Sequence, residues 1–124
     1  MSGLAEHFKQ GGSGVLATAA KDGTINTAIY AAPHVVDDKT VAWGMTEGRT
    51  YRNLKENPNA AYLHEDPGAG GKGVRMTLKL TDIKDSGQML ETIRKRAGAT
   101  SGQQAAGMVK YVGYFKVVET RPLT

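Results

Sequence analysis

The 124-residue chain contains no cysteine. Disulfide bonds and cysteine thiolate chemistry are therefore excluded, and a reducing cytoplasm is the expected location. No apolar run approaches the roughly 18–20 residues that a membrane-spanning helix needs. The first residues also lack the charged and then apolar profile of a signal peptide. The sequence thus predicts a cytoplasmic protein with no membrane partner.

A strong excess of charge is absent as well. The chain has 16 Lys and Arg residues against 12 Asp and Glu residues, a net charge of +4. The basic residues are scattered except for Arg94, Lys95 and Arg96, which have no interleaved aromatic residues. That trio falls where a predicted helix should end, a position that favours cations. We therefore do not expect nucleic acid as a partner, and a basic barrel that binds nucleic acid is kept as an alternative.

Clustered metal ligands and a nucleophilic triad are also lacking. His7, His34 and His64 are far apart in the sequence and form no helical His-x-x-x-His pair. With no cysteine to join them, they do not predict a metal site. No Ser–His–Asp arrangement is identifiable, so no side chain is predicted to be catalytic.

The length predicts one domain over residues 1–124, near the usual size of about 100–150 residues. Short apolar runs separated by turn residues predict six strands, over residues 15–20, 24–36, 40–45, 60–63, 74–83 and 109–119. Pro33 predicts a kink or an edge in the second strand. Helices are predicted at about 48–57 and from Asp85 or Ser86 to Gly98, with a loop over 99–107 and a short helix near the N-terminus.

This order predicts a mainly β fold, a small antiparallel barrel with two or three short helices. Side chains would fill the interior of a barrel of this size. Any binding site is therefore expected on the outer wall or at a subunit interface.

The segment from Met45 to Pro58 carries the most informative local pattern. It follows an apolar run ending at Trp43 and places Gly48, Arg49 and Thr50 where a helix begins. The N-terminus of a helix carries unpaired N–H groups and roughly half a positive charge. A basic residue and a hydroxyl at that point predict a compact anion site suited to a phosphate.

Helical spacing assigns the residues of this segment to two faces. Arg49, Arg52 and Asn53 are expected on an outward polar side, and Tyr51 and Leu54 on the side that packs against the barrel. An ordinary amphipathic helix with a solvated face explains much of the same pattern. The segment alone leaves both interpretations open.

The arrangement of these parts resembles a known family. A strand ending in glycine is followed by the pattern basic–hydroxyl–x–x–Asn–Leu–x–x–Asn–Pro from Arg49 to Pro58, and then by a small apolar strand. This is similar to the FMN-binding split-barrel family, which includes pyridoxamine 5′-phosphate oxidase and small bacterial FMN-binding proteins. The likeness extends over roughly residues 12 to 123. It implies a six-stranded antiparallel split β-barrel that forms a homodimer with FMN at the interface.

The resemblance also implies a phosphate site. Arg49 and Thr50 would hold the FMN phosphate, with Asn53 as a supporting partner. Many relatives have a lysine where this chain has Thr50. Arg49 would therefore supply the main charge, unless Arg52 or Lys72 contributes.

Further cofactor contacts are implied on three other segments. Asn26, Thr27 and Ala28 correspond to the strand that runs along the flavin ring edge, although a plain strand with outward polar positions explains them equally well. Gly44 and Met45 would lie against the flavin or its ribityl chain. The glycine-rich loop of residues 68–73 matches no nucleotide-loop spacing, but its family equivalent approaches the flavin through the positions of Lys72 and Gly73. By the same resemblance, Leu123 would reach the flavin of the partner subunit.

Together these features predict an FMN-dependent oxidoreductase or electron-transfer protein, reduced by a nicotinamide cofactor or a redox protein. The alternatives left open on the same scaffold are an oxidase similar to pyridoxamine-phosphate oxidase, a reductase that uses a deazaflavin, and a non-enzymatic FMN carrier.

Overall fold

A computed structural model describes residues 3–68 and 70–123, so that Met1, Ser2, Ala69 and Thr124 of the predicted domain lie outside the described residues. A 3₁₀ helix covers Leu4–Phe8. The strands are β1 Ser13–Ala19, β2 Ile25–Ala31, β3 His34–Asp37, β4 Thr40–Met45, β5 Asn59–Glu65, β6 Gly73–Lys84 and β7 Tyr111–Pro122. The α-helices are α1 Arg49–Glu56, α2 Gln88–Ser101 and α3 Gln103–Met108.

These seven strands form one antiparallel sheet in the order β2-β1-β5-β6-β7-β4-β3. The mainly β, antiparallel class is confirmed, but the prediction of six strands is wrong by one. The expected second strand divides at Ala32 and Pro33, where proline has no N–H for a sheet ladder and the Ala32 N–H bonds to the Gly12 carbonyl. As a result β2 pairs with β1 while β3 pairs with β4, at the opposite edge of the sheet.

The helical region before β7 is longer than predicted. We expected α2 to end at Gly98 and residues 99–107 to form a loop, and both predictions are wrong. The helix passes through Gly98, and its last turn closes with a hydrogen bond from the Gly102 N–H to the Gly98 carbonyl. Gly102 has a φ of +93°, a conformation that suits glycine and separates α2 from α3.

Apolar side chains fill the core on the inner side of the sheet. Along β6, Val74, Met76 and Leu78 are buried while the residues between them are exposed, the alternation that the sequence predicted. Trp43 lies at the centre of this core, with its ring centroid 4.7 Å from that of Tyr62 and 5.5 Å from that of Phe115.

A second, smaller cluster packs α2 against the outer side of the sheet through Ala42, Leu90 and Val112. Two of the surface cavities lie outside this packed interior, one beside β2 and α1 and the other beside α2. Among the helices of the described residues, none is long and apolar enough to cross a membrane.

Candidate functional site

A groove of about 550 Å³ runs between the free edge of β2 and the junction of β4 with α1. Six of the eleven predicted site residues line this groove, so the structure brings together segments that are separated by some twenty residues in the chain. These six are Asn26, Thr27, Ala28, Gly44, Arg49 and Thr50.

One end of the groove is the start of α1. Gly48 has extended backbone angles and precedes the first helical residue, Arg49. Among the described residues no side chain caps this helix, and its first turn contains no acidic residue. The N–H groups of the first turn, the helix dipole and the exposed Arg49 guanidinium therefore all favour an anion at this end.

Thr50 is mostly buried, with 7% of its surface exposed, and it lies beside Tyr30. Burial raises the pKa of Tyr30 above its usual value, and a hydrogen bond with Thr50 opposes this rise. The phenol is therefore neutral at physiological pH. Tyr30 was missed as a site residue, although it shares a strand face with Asn26 and Ala28, a period-two signal visible in the sequence.

The far end of β2 is held by two buried side chains of the core. The Trp43 indole N–H donates to the Ala31 carbonyl at 2.7 Å. The Tyr62 hydroxyl oxygen lies 3.0 Å from the Tyr30 carbonyl and 3.1 Å from the Ala31 carbonyl. These contacts fix the groove wall to the interior of the sheet, because each donor is itself packed in the core.

Two predicted site residues near the groove face the protein interior. Met45 is buried, with 1% of its surface exposed, and belongs to the core. Asn53 is also buried, and its amide donates to the Thr18 hydroxyl at 3.1 Å. The predicted outward face for Asn53 is wrong, because this polar pair joins α1 to β1 beneath the helix.

Three other predicted residues do not line the groove of this chain. Lys72 precedes β6, and Gly73 is its first residue and is paired with Glu65. Leu123 follows β7, and its carbonyl accepts a hydrogen bond from Arg75. Their assignment to a cofactor stays a prediction that depends on a second subunit.

Gly44 lines the groove with its backbone and faces α2 with its Cα. A Cβ at this position would lie 2.5 Å from Ile93 Cγ2 and 2.8 Å from Val109 Cγ1. Real Cβ atoms do not approach other atoms so closely. The absence of a side chain is therefore already required by the packing of α2 on β4.

Within the described residues, no group of three or more His, Asp or Glu side chains is placed to hold a metal ion. His64 is buried among Phe8 and Tyr62, and neither of its ring nitrogens has a hydrogen-bond partner within the described residues.

The shape of the chain is shared with known flavin-related proteins. The crystal structure of an FMN-binding protein from Syntrophomonas wolfei subsp. wolfei superposes with a TM-score of 0.77, at 22% identity, over 97% of this chain and 80% of the other. An F420 reductase gives a TM-score of 0.75 at 20% identity, over 98% of both chains. The chain has the split-barrel fold.

A pyridoxamine 5′-phosphate oxidase-like protein from Listeria innocua shares this split barrel, with a TM-score of 0.74 and 15% identity over 97% of this chain and 94% of the other. No protein-family model matches the chain, and no curated protein sequence matches it. At these identities the comparisons establish the split-barrel fold alone, because one fold can support many functions.

Proposed function

We propose that this split barrel is a single-domain, homodimeric FMN-binding oxidoreductase or electron-transfer protein. The main support is the groove, which joins the start of α1 to the free edge of β2. At that start Arg49 supplies a positive charge, and no described side chain caps the helix. The FMN-binding protein and the F420 reductase of the same fold support a flavin or a deazaflavin as the ligand. When bound, FMN would supply the redox chemistry, and the protein would bind and orient it.

The residues at the helix end of the groove fit a phosphate. Arg49 would hold the phosphate with a charge-assisted hydrogen bond, and the N–H groups of the first turn of α1 would add neutral donors. The Thr50 hydroxyl lies beside Tyr30 in the lining of the groove. With no carboxylate among the residues that line the groove, nothing in this lining repels a dianion.

The β2 end fits the polar edge of a flavin ring. Within the described part of the sheet, β2 pairs only with β1, so the backbone N–H and C=O groups on its other edge face the groove between Asn26 and Ile29. Such groups need partners. A flavin ring edge offers both donors and acceptors, which would satisfy an unpaired strand edge.

A homodimer is supported by an apolar patch on the outer face of the sheet. Ile29 of β2 and Leu63 of β5 both lie opposite Val15 of β1, so the three side chains share one face. Ile29 is 73% exposed and Leu63 is 47% exposed. Contiguous exposed apolar surface of this kind marks association sites. Because Ile29 also lines the groove, a second copy covering this patch would lie against the bound flavin.

The phosphate assignment is tested by comparing FMN with riboflavin, which lacks the phosphate. We expect Arg49→Ala to weaken FMN binding by about 1.5–3 kcal/mol, the cost of losing a hydrogen bond to a charged group. Its affinity for riboflavin should be unchanged. Flavin-free protein is titrated with FMN and with riboflavin, and the change in flavin fluorescence gives the two affinities.

Arg52→Ala is the matched control, because Arg52 is exposed on the same helix but does not line the groove. An equal loss of FMN affinity in both variants would show only a general effect of charge. Failure of the wild-type protein to bind any flavin would contradict the proposed function as a whole.

A deazaflavin is the second candidate, favoured by the match to an F420 reductase over nearly the whole of both chains. Competition between FMN and F420 for the same protein decides between them. Tighter binding of F420 would replace FMN in the proposal. Reduction of bound FMN by NADH or NADPH in the absence of oxygen would favour the oxidoreductase over the FMN carrier.

A further inference from the structure

A second cavity of about 470 Å³ adjoins the groove on the side of α2, and we call it the α2 chamber. The groove and the chamber have Tyr30, Ala31 and Gly44 in common. A cavity of this volume lies within the range of small-molecule sites, about 300–1,000 Å³. A ligand in the chamber would therefore lie beside a molecule bound along β2.

Most of the chamber wall is apolar. Ala42 and Trp43 of β4 belong to one side, and Ile93 and Ala97 of α2 belong to the other. Val109, shortly before β7, adds a further apolar residue. The alanine side chains are short, so they leave room for a small ring or a short hydrocarbon chain between the strand and the helix.

The polar side chains on the sheet side of the chamber already have hydrogen-bond partners. The Trp43 indole N–H donates to the Ala31 carbonyl at 2.7 Å, and the Tyr62 hydroxyl lies 3.1 Å from the same carbonyl. The Tyr30 hydroxyl is hydrogen-bonded to Thr50. This side of the chamber therefore gains little from a polar ligand, because its own buried polar groups are bonded within the protein.

Arg96 and His34 stand at the rim and are bonded to each other. Arg96 Nη1 lies 2.8 Å from His34 Nδ1. Burial and, second, the positive charge of Arg96 lower the pKa of His34, so the imidazole is neutral at physiological pH and accepts this hydrogen bond. Arg96 is exposed, so its charge is hydrated at the edge and the wall behind it stays apolar.

A wall of this kind selects ligands by the apolar surface that they bury. Each methylene group that leaves water strengthens binding by roughly fourfold. A carboxylate or an ammonium group would lose its hydration against the same wall, which is costly without a partner. The chamber is therefore complementary to a neutral molecule.

We propose that the α2 chamber binds a small, neutral, apolar molecule between β4 and α2. The molecule would lie beside the flavin of the proposed function, at the shared wall formed by Tyr30 and Gly44. Its role as the redox substrate of that flavin rests on the proposed function. All of the residues that form the chamber come from one chain, so the class of ligand is testable on flavin-free protein.

The test compares isopropylbenzene with benzoate, which have nearly the same shape and differ in charge. Trp43 is the only tryptophan of the chain and lines the chamber, so a change in its fluorescence reports occupancy. We expect isopropylbenzene to bind about tenfold or more tightly than benzoate, because benzoate must lose the hydration of its carboxylate. Equal binding of the two, or tighter binding of benzoate, would overturn the inference.

A second comparison measures burial directly. Ethylbenzene has one methylene more than toluene and should bind roughly threefold to fourfold more tightly. Nuclear magnetic resonance of the Ile93 and Val109 methyl groups locates both ligands, since these residues line the chamber. Equal affinities, or ligand-induced shifts confined to other methyl groups, would contradict binding in the chamber.

Two variants of Val109 test the wall. Val109→Phe should fill part of the chamber and weaken isopropylbenzene binding about tenfold or more. Val109→Thr keeps the volume and places a hydroxyl in the wall, so binding should weaken by about threefold or more even if the larger variant fails to fold. A circular dichroism melt shows whether each variant is folded.

Val118→Phe and Val118→Thr are the matched controls, because Val118 is exposed on β7 and lies outside the described lining of the chamber. Both controls should bind isopropylbenzene as the wild type does. Unchanged binding to folded Val109 variants, or equal losses at the two positions, would place the ligand elsewhere.

The inference and the proposed function fail separately. FMN binding without isopropylbenzene binding overturns this inference alone, whereas isopropylbenzene binding without FMN binding contradicts only the proposed function. In protein that binds both, isopropylbenzene should change the absorption spectrum of the bound FMN. An unchanged spectrum would overturn the placement of the ligand beside the flavin.

Discussion

Gly44 carries two constraints at one position. Its backbone lines the groove, while its missing side chain lets Ile93 and Val109 approach β4. Ile93 is β-branched and has few alternative rotamers, so its methyl group cannot easily move away. The glycine therefore determines how closely α2 packs on the sheet.

We expect Gly44→Ala to lower the free energy of unfolding by about 1–3 kcal/mol, the usual cost of overpacking. Denaturant unfolding measures this change. In a chain that already contains Ile93→Ala, Gly44→Ala should cost less free energy of unfolding, because the Ile93 methyl group that the new Cβ would meet is gone.

Gly107→Ala is the control, since a Cβ there has nothing within 4 Å in the described structure. It should leave stability unchanged or raise it by up to about 1 kcal/mol. Equal losses at Gly44 and Gly107 would contradict the packing argument.

Several single-residue roles could be predicted from the sequence, and others could not. The alternation along β6 fixed its buried residues, because side chains in a strand point to opposite faces. Arg49 was correctly placed at a helix start, since Gly48 and the apolar run before it mark that boundary. Asn53 was assigned to the wrong face because helical spacing shows which residues share a side but not which side meets the sheet. Its partner, Thr18, comes 35 residues earlier in the chain.

At the scale of the elements, the division of one predicted strand creates the site. Pro33 indicated a kink, but the sequence does not reveal that the chain passes there from one edge of the sheet, where β2 pairs with β1, to the other edge, where β3 pairs with β4. That choice depends on contacts across the whole sheet, including the bonds that Trp43 and Tyr62 make to the end of β2. The groove lies along the resulting gap.

The link between β3 and α2 predicts a pH dependence of stability. The pKa of His34 is lowered from 6.5 in the folded protein, first by burial and second by Arg96. As the pH falls below 6.5, the unfolded chain takes up a proton before the folded protein does. The contribution of His34 to the free energy of unfolding is therefore fully present above pH 6.5. It is lost as the pH falls toward the lower pKa of the folded protein.

Urea unfolding at a series of pH values checks this dependence against His34→Gln. The variant should lose less stability than the wild type over the same acidic range. Arg96→Gln should reduce the difference but not abolish it, because burial is the larger cause. Identical pH profiles for the wild type and His34→Gln would assign the dependence to another group.

At the scale of the whole molecule, the split barrel presents its groove beside an apolar outer surface. Ile29 belongs to both, because it lines the groove and shares a sheet face with Val15 and Leu63. In an isolated chain this patch would be wetted and the groove open on that side. A second copy would remove both surfaces from water at once, which would couple dimer formation to the proposed flavin binding.

Ile29→Lys is therefore expected to convert a dimer into a monomer and to weaken FMN binding at the same protein concentration. A buried, unpaired ammonium within this patch would make association strongly unfavourable. Analytical ultracentrifugation measures the mass, and flavin fluorescence measures the affinity. Met108→Lys introduces the same charge at another exposed apolar side chain, on α3 away from the sheet, and should leave both unchanged. A monomeric wild type that binds FMN fully would show that the groove is complete in one chain. An Ile29→Lys variant that remains dimeric would show that this patch is not the interface.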